Sequence, residues 1–272
     1  VRPVLLLVPA CGPVALVLGA GLGTAALQAL GLMPLVGEPS LSVGAFTGQA
    51  EDLVRASLVS VWIAAASTVL AVIVGLAAGI AIAARARVVA VLAAVTVPVP
   101  HLIGAAAIGL LVADSGLLPR LLGIEGAQWP QLVGGPWWVA VILEFAWKES
   151  AFVAIVVAGT LATRIEGYSD LAATLGAGRA TRFRLVTLPL AAPALAAAAM
   201  ITFVYSFGSV EVPLLLGRPY PEPLPVLAVR VFSSIDLASR PDAAAAALVS
   251  SILSVTVLAI ALVLARRSSL WR

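Results

Sequence analysis

Ser169-Asp170-Leu171-Ala172-Ala173-Thr174-Leu175-Gly176, with Thr187-Leu188-Pro189 farther on, lies in a polar break between two long apolar runs, and its reading decides the fold. Tyr168, Leu171, Ala172 and Leu175 fall at i, i+3, i+4 and i+7, so a helix here carries all four on one face. Ser169 can cap that helix, and Asp170 suits the positive end of its dipole. Gly176 is placed to end it. A second short segment carries Arg179, Arg182 and Arg184 around Phe183, and Pro189 then opens the next apolar run as a first-turn proline. The expected object is a short amphipathic helix on a membrane surface.

The rest of the chain supplies the membrane. Hydrophobic residues make up 62% of it and charged ones 11%, which excludes a soluble domain of this length. A run of about 20 apolar residues crosses the hydrocarbon core as a helix. Six candidates follow, at residues 4–30, 56–84, 88–113, 137–162, 189–216 and 243–265. Several exceed the minimum length, so tilt or breaks are expected: Pro9 and Pro13 interrupt the first run, Pro98 and Pro100 the third. The first run is too long for a secretory-signal core and five more follow, so it reads as a retained helix. Residues 1–272 read as one transmembrane domain with a cytoplasmic loop at about 163–188. Lone Cys11 cannot form an internal disulfide. Small residues such as Gly75, Ala77, Ala78 and Gly79, and the stretch from Ala192 to Ala199, suit close helix packing.

Charge orients the spans. The ends and loops of one side hold Arg2, Arg85, Arg87, Arg164, Arg179, Arg182, Arg184, Arg266, Arg267 and Arg272. The other side holds Arg55, Arg120, Arg218, Arg230 and Arg240 with most of the acids. The positive-inside rule places both termini and the 163–188 loop in the cytoplasm. The net charge of +3 is thus a topology signal, with no nucleic-acid footprint in it. Trp62, Trp129, Trp137, Trp138 and Trp271 fall near span ends, as interfacial aromatics do.

The polar break resembles the EAA loop of permease subunits of bacterial binding-protein-dependent ABC importers. Asp170, Leu171 and Ala172 stand in its Glu-Ala-Ala positions, Gly176 in its glycine position and Leu188-Pro189 in its Leu-Pro positions. Asp replaces Glu, and Leu171 replaces the first alanine. The run Trp147-Lys148-Glu149-Ser150-Ala151-Phe152 is similar to a segment these permeases carry before the loop, with Ala151 where the family usually has Pro. The resemblance implies an all-α integral membrane protein of about six transmembrane helices, with the type I ABC importer permease fold, in the bacterial inner membrane. It implies that the loop is a coupling helix, with Asp170, Leu171, Ala172, Leu175, Gly176, Arg179, Leu188 and Pro189 meeting an ATPase. It further implies two ATPase subunits, a second permease identical or homologous, and an extracytoplasmic substrate-binding protein. Ser206-Phe207-Gly208-Ser209-Val210-Glu211-Val212-Pro213 looks most like the polyamine and aminoethylphosphonate branch, which points to a small polar or cationic solute.

The chain carries no Gly-x-x-x-x-Gly-Lys-Ser/Thr phosphate loop, so ATP and magnesium belong to the partner, and no cofactor is expected on this chain. It has one histidine and no Cys/His cluster for a metal. An enzyme lacks any nucleophile-base constellation here. A proton-coupled secondary transporter, with Glu149 or His101 as relay, is the alternative, although it needs inverted repeats that the sequence does not show.

Glu144, Lys148, Glu149 and Glu211 lie within the expected spans. Each costs about 2.5–3.5 kcal/mol at a helix centre, so each needs a partner or a wet surface. Glu144 and Lys148, four apart, can pair along one face and fix packing. His101, after Pro98 and Pro100, reads as a polar group satisfying the kink. Glu149 is rotated away and is open between structural and functional roles. Lys148, Glu149, Phe207 and Glu211 are candidates to line the path. Glu211, 22 residues beyond Pro189 on one helix rising about 1.5 Å per residue, is expected near the external mouth, either drawing cations or latching a gate. Pro219, Pro221, Pro223 and Pro225 alternate, which favours an extended polyproline segment, either a spacer or a docking surface.

Overall fold

The computed structural model describes residues 7–162 and 165–267, and every described element is helical. Arg2, Arg164, Trp271 and Arg272 lie outside the described residues, as do the side chains of Ser169, Arg266 and Arg267. Among the described residues five helical stretches are long and apolar enough to cross a membrane: Leu7–Ala29, Ala50–Ala83, His101–Leu122, Arg179–Gly208 and Leu237–Ala265. The remaining expected span, 137–162, forms helix Val139–Leu161; its 23 residues are long enough, but Glu144, Lys148 and Glu149 set its composition apart.

By contacts the chain falls into two compact units, Val1–Val59 with Pro221–Leu253, and Ser60–Tyr220 with Ser254–Arg272. The first holds α1 (Val8–Ala29), α2 (Gly44–Thr47), the start of α3 (Ala50–Ala83), and parts of the C-terminal third. Pro9 does not interrupt α1 but sits in its first turn, where its missing N–H has no intrahelical partner to lose. Ala29, Ala45, Ala244 and Ala245 make the unit's buried centre. Gln49 ties it by donating to the carbonyls of Ala45 at 2.9 Å and Asp242 at 2.8 Å.

The second unit is built around one helix. In chain order its elements are α4 (Arg87–Thr96), α5 (His101–Val112), α6 (Leu117–Leu122), α7 (Val139–Leu161), α8 (Ile165–Thr174), α9 (Arg179–Arg182), α10 (Leu188–Gly208) and α11 (Glu211–Leu216). α4, α5, α10 and α11 all pack on α7. α3 reaches it through Gly75 and Gly79, where an added Cβ would stand 2.5 Å from Val153 Cβ and 2.8 Å from Val157 Cβ. Absent side chains let two backbones approach, which in lipid replaces the hydrophobic drive that water supplies. Val153, Val157, Leu161, Ala191 and Ala198 form the buried cluster that results.

Two expected spans break. The run 88–113 divides between Thr96 and His101, because Pro98 and Pro100 cannot donate and Pro100 is extended (φ −60°, ψ 140°). The run 189–216 ends at Gly208 and restarts as α11 at Glu211. Pro213 therefore stands in the first turn of a new helix, where its missing N–H loosens nothing. The proline-alternating segment does not run as an extended rod: it bends at 217 and 219–221, and Pro225 opens α12 (Leu224–Phe232). A last helix, α13 (Arg240–Arg267), closes the chain. Trp138, expected at the interface, is buried instead at the N-cap of α7 in a left-handed conformation (φ 58°), with Gly217 against its ring.

Candidate functional site

The connecting helix α8 forms as the apolar spacing requires, but it begins at Ile165, four residues before Ser169. Ser169 is therefore inside the helix and not its cap, and Asp170 sits mid-helix, away from the positive end of the dipole. The C-terminus is as expected. Gly176 adopts φ +79°; its N–H donates to Ala173 O at 2.9 Å, and the Ala177 N–H to Ala172 O at 3.0 Å. That crossed pair satisfies carbonyls the helix end would orphan, and the left-handed residue it needs is cheapest as glycine. Tyr168, Leu171 and Leu175 are exposed, the two leucines at 61% and 81%, and Ala172 is half-buried beside them.

α8 rests on α9 and on a π-helical turn, Phe183–Thr187, which runs straight into α10. Pro189 follows that turn. Its ring would crowd the Leu185 carbonyl in a regular helix, and the wider turn absorbs the offset. Arg179, Leu188 and Pro189 all stay exposed along this side. Helix from Arg179 to Gly208 is thus continuous from the loop into the bundle.

Inside the bundle, α7 presents three charged groups to a single place. The expected Glu144–Lys148 pair does not form. Glu144, 0% exposed, lies against Gly104 and turns to His101, whose Nδ1 is 3.1 Å from its Oε1. His101 Nε2 is 3.4 Å from Glu149 Oε1, and the Thr202 hydroxyl donates to Glu149 Oε2 at 3.3 Å. Tyr205 lies over the imidazole with ring centroids 4.7 Å apart. Lys148 instead donates to the carbonyls of Thr96 at 2.9 Å, Val97 at 3.2 Å and Val99. The lysine, not His101, satisfies the kink. The two carboxylates flank opposite edges of the imidazole, so they share no point where a metal could be held, and among the described residues no cluster of metal-ligand type occurs.

The remaining path candidates separate. Phe207 is buried against Phe203, with ring centroids 6.0 Å apart. Glu211 is exposed and, with Tyr205, Gly208 and Ser209, lines a cavity of about 420 Å³ at the break after α10. Sequence reasoning missed His101 as the shared partner, because its carboxylates lie 43 and 48 residues away and no local spacing links them.

Helices of span length, with an apolar-faced connecting helix exposed among them, define an all-helical membrane protein. The chain belongs to the family of binding-protein-dependent transport system inner membrane components, whose profile matches residues 71–269. The sulfoquinovosyl glycerol transport system permease protein SmoG of Agrobacterium fabrum is 30% identical over 97 residues, 35% of this chain and 30% of that protein. The match thus spans under a third of that relative's length. Among solved structures, a bacterial ABC transporter involved in import of the acidic polysaccharide alginate matches with TM-score 0.73 and 18% identity, over 97% of this chain and 94% of that one. A bacterial alginate ABC transporter in complex with alginate pentasaccharide-bound periplasmic protein matches with TM-score 0.71 and 18% identity, over 98% and 95%. At these identities the likeness establishes the fold, that of an ABC importer permease. These neighbours are sugar and alginate transporters, and the resemblance of 206–213 to the polyamine branch finds no support among them.

Proposed function

We propose that this chain is the permease subunit of a type I ABC importer, forming half of a translocation path with a second permease. It is non-catalytic; two ATPase subunits hydrolyse ATP with magnesium, and an extracytoplasmic binding protein delivers the solute. The observation that carries this reading is the uncovered apolar face of α8, with Leu171 and Leu175 exposed on a helix closed by Gly176. An uncovered apolar face on a connecting helix marks an interaction site. Asp170, Ala172 and Arg179 flank that face, and Leu188-Pro189 joins it to α10. Closing of the ATPase pair would move α8, and continuous helix from Arg179 would carry the motion inward.

The solute is better read as polyhydroxylated, a saccharide or its derivative, than as a polyamine. Of the two acids expected to draw a cation, Glu149 is engaged by His101 and Thr202, while Glu211 stays exposed. The sugar and alginate neighbours support the same reading.

Leu171→Asp and Gly176→Val test the coupling surface. Both chains should insert, yet substrate-stimulated ATP hydrolysis in liposomes carrying the full assembly should fall about tenfold or more, the size of a lost interface anchor. Wild-type stimulation and uptake in both variants would remove the docking claim.

A further inference from the structure

Both sides of the break between α4 and α5 are held by one helix. From α7, Lys148 donates to the carbonyls of Thr96, Val97 and Val99, the end that Pro98 and Pro100 deprive of helical donors. From the same two turns, Glu144 and Glu149 flank His101, the first residue of α5. Each ring nitrogen of His101 thus has its own carboxylate, Nδ1 facing Glu144 and Nε2 facing Glu149. Its third side comes from α10, where Thr202 donates to Glu149 and Tyr205 covers the imidazole. Those two residues lie 14 and 17 positions beyond Leu188, about 21–26 Å along a helix rising directly from the exposed loop.

We infer that the 97–100 break is a hinge, that Lys148, His101, Glu144 and Glu149 are its latch, and that α10 reads the loop's position into the latch through Thr202 and Tyr205. This rests on the coupling role proposed for α8. A proline break leaves α4 and α5 joined by a turn at 97–99 and an extended Pro100, so their mutual angle is set by side chains and not by a continuous ladder of helical hydrogen bonds. The latch groups come from α5 and α7 and are covered from α10, so shifting α10 by a fraction of a turn removes the Thr202 donor and the Tyr205 ring that lies over His101. Two packed arrangements of such a joint, not a continuous range, are what buried polar networks favour.

Leu92 on α4 and Leu110 on α5 are both exposed and suit spin labels introduced as cysteines, with Cys11→Ser, in the full chain in lipid nanodiscs. The parent should give one narrow distance. Lys148→Met should raise a second distance about tenfold in population, the effect of losing one charged hydrogen bond in a buried site. Glu149→Gln and Thr202→Val, which preserve shape, should raise it less and serve where Lys148→Met fails to insert. Parent-like distances in all three would overturn the hinge. The link to α10 is read in the assembled transporter, where Thr202→Val should raise basal ATP hydrolysis severalfold; a second distance with unchanged hydrolysis overturns that link alone. If no ATPase associates with the chain, the proposed function falls while the distance measurement still judges the hinge.

Discussion

A Cβ on Gly75 would stand 2.9 Å from the Ser150 carbonyl as well as 2.5 Å from Val153 Cβ, and one on Gly79 would stand 2.9 Å from the Ala154 carbonyl. Backbone cannot yield as a side chain can, so Gly75→Ala should cost about 1–3 kcal/mol as overpacking. Thermal unfolding in mild detergent should show it, and Val153→Ala in the same chain should recover only the side-chain part. Equal melting of Gly75→Ala and the parent would mean that α3 and α7 do not touch here. At this scale the sequence was informative where the constraint is local. Gly176 was legible because a helix of known apolar face must end before the next begins. His101 was not, since nothing in its own neighbourhood marks two carboxylates on another helix.

Among the elements, α10 differs most from its sequence reading. The apolar run continues past Gly208, yet the helix stops there, so Glu211 does not sit 22 residues up a single rod. It opens α11, where a carboxylate in the first turn faces the positive end of a helix dipole. Glu211→Gln should therefore cost less than about 1 kcal/mol of stability. Because Glu211 lines the cavity at the break, the same change should slow uptake while hydrolysis stays under substrate control. Raised basal hydrolysis would instead assign it to a gate latch, and unchanged uptake and hydrolysis would leave it neither role. The other end of α10 shows the opposite case: Pro189 predicted a helix start, but the chain enters through a π-helical turn and does not restart. Proline marks where a regular helix is disturbed; the preceding residues decide how.

For the whole chain, ten arginines on one side of the expected spans against five on the other predict that the 163–188 loop faces the cytoplasm. With Cys11 replaced, cysteines at Ser115 and Ser233 should react with an impermeant thiol reagent applied outside, and one at Thr181 only after the membrane is opened. The inverse pattern would reverse the topology and detach α8 from any cytoplasmic ATPase. The sequence by itself determined that the chain is an all-helical membrane protein with a connecting helix closed at Gly176, because hydropathy, apolar spacing and a left-handed glycine are properties of neighbouring residues. It also located the disturbance at Pro98 and Pro100. Only the tertiary structure decided that α7 is the hub of its unit, that Lys148 satisfies the broken helix end, and that Glu144 and Glu149 share His101. In lipid, water cannot satisfy a charge, so partners are chosen by which helices come within reach, and that depends on packing across the fold and not on order along the chain.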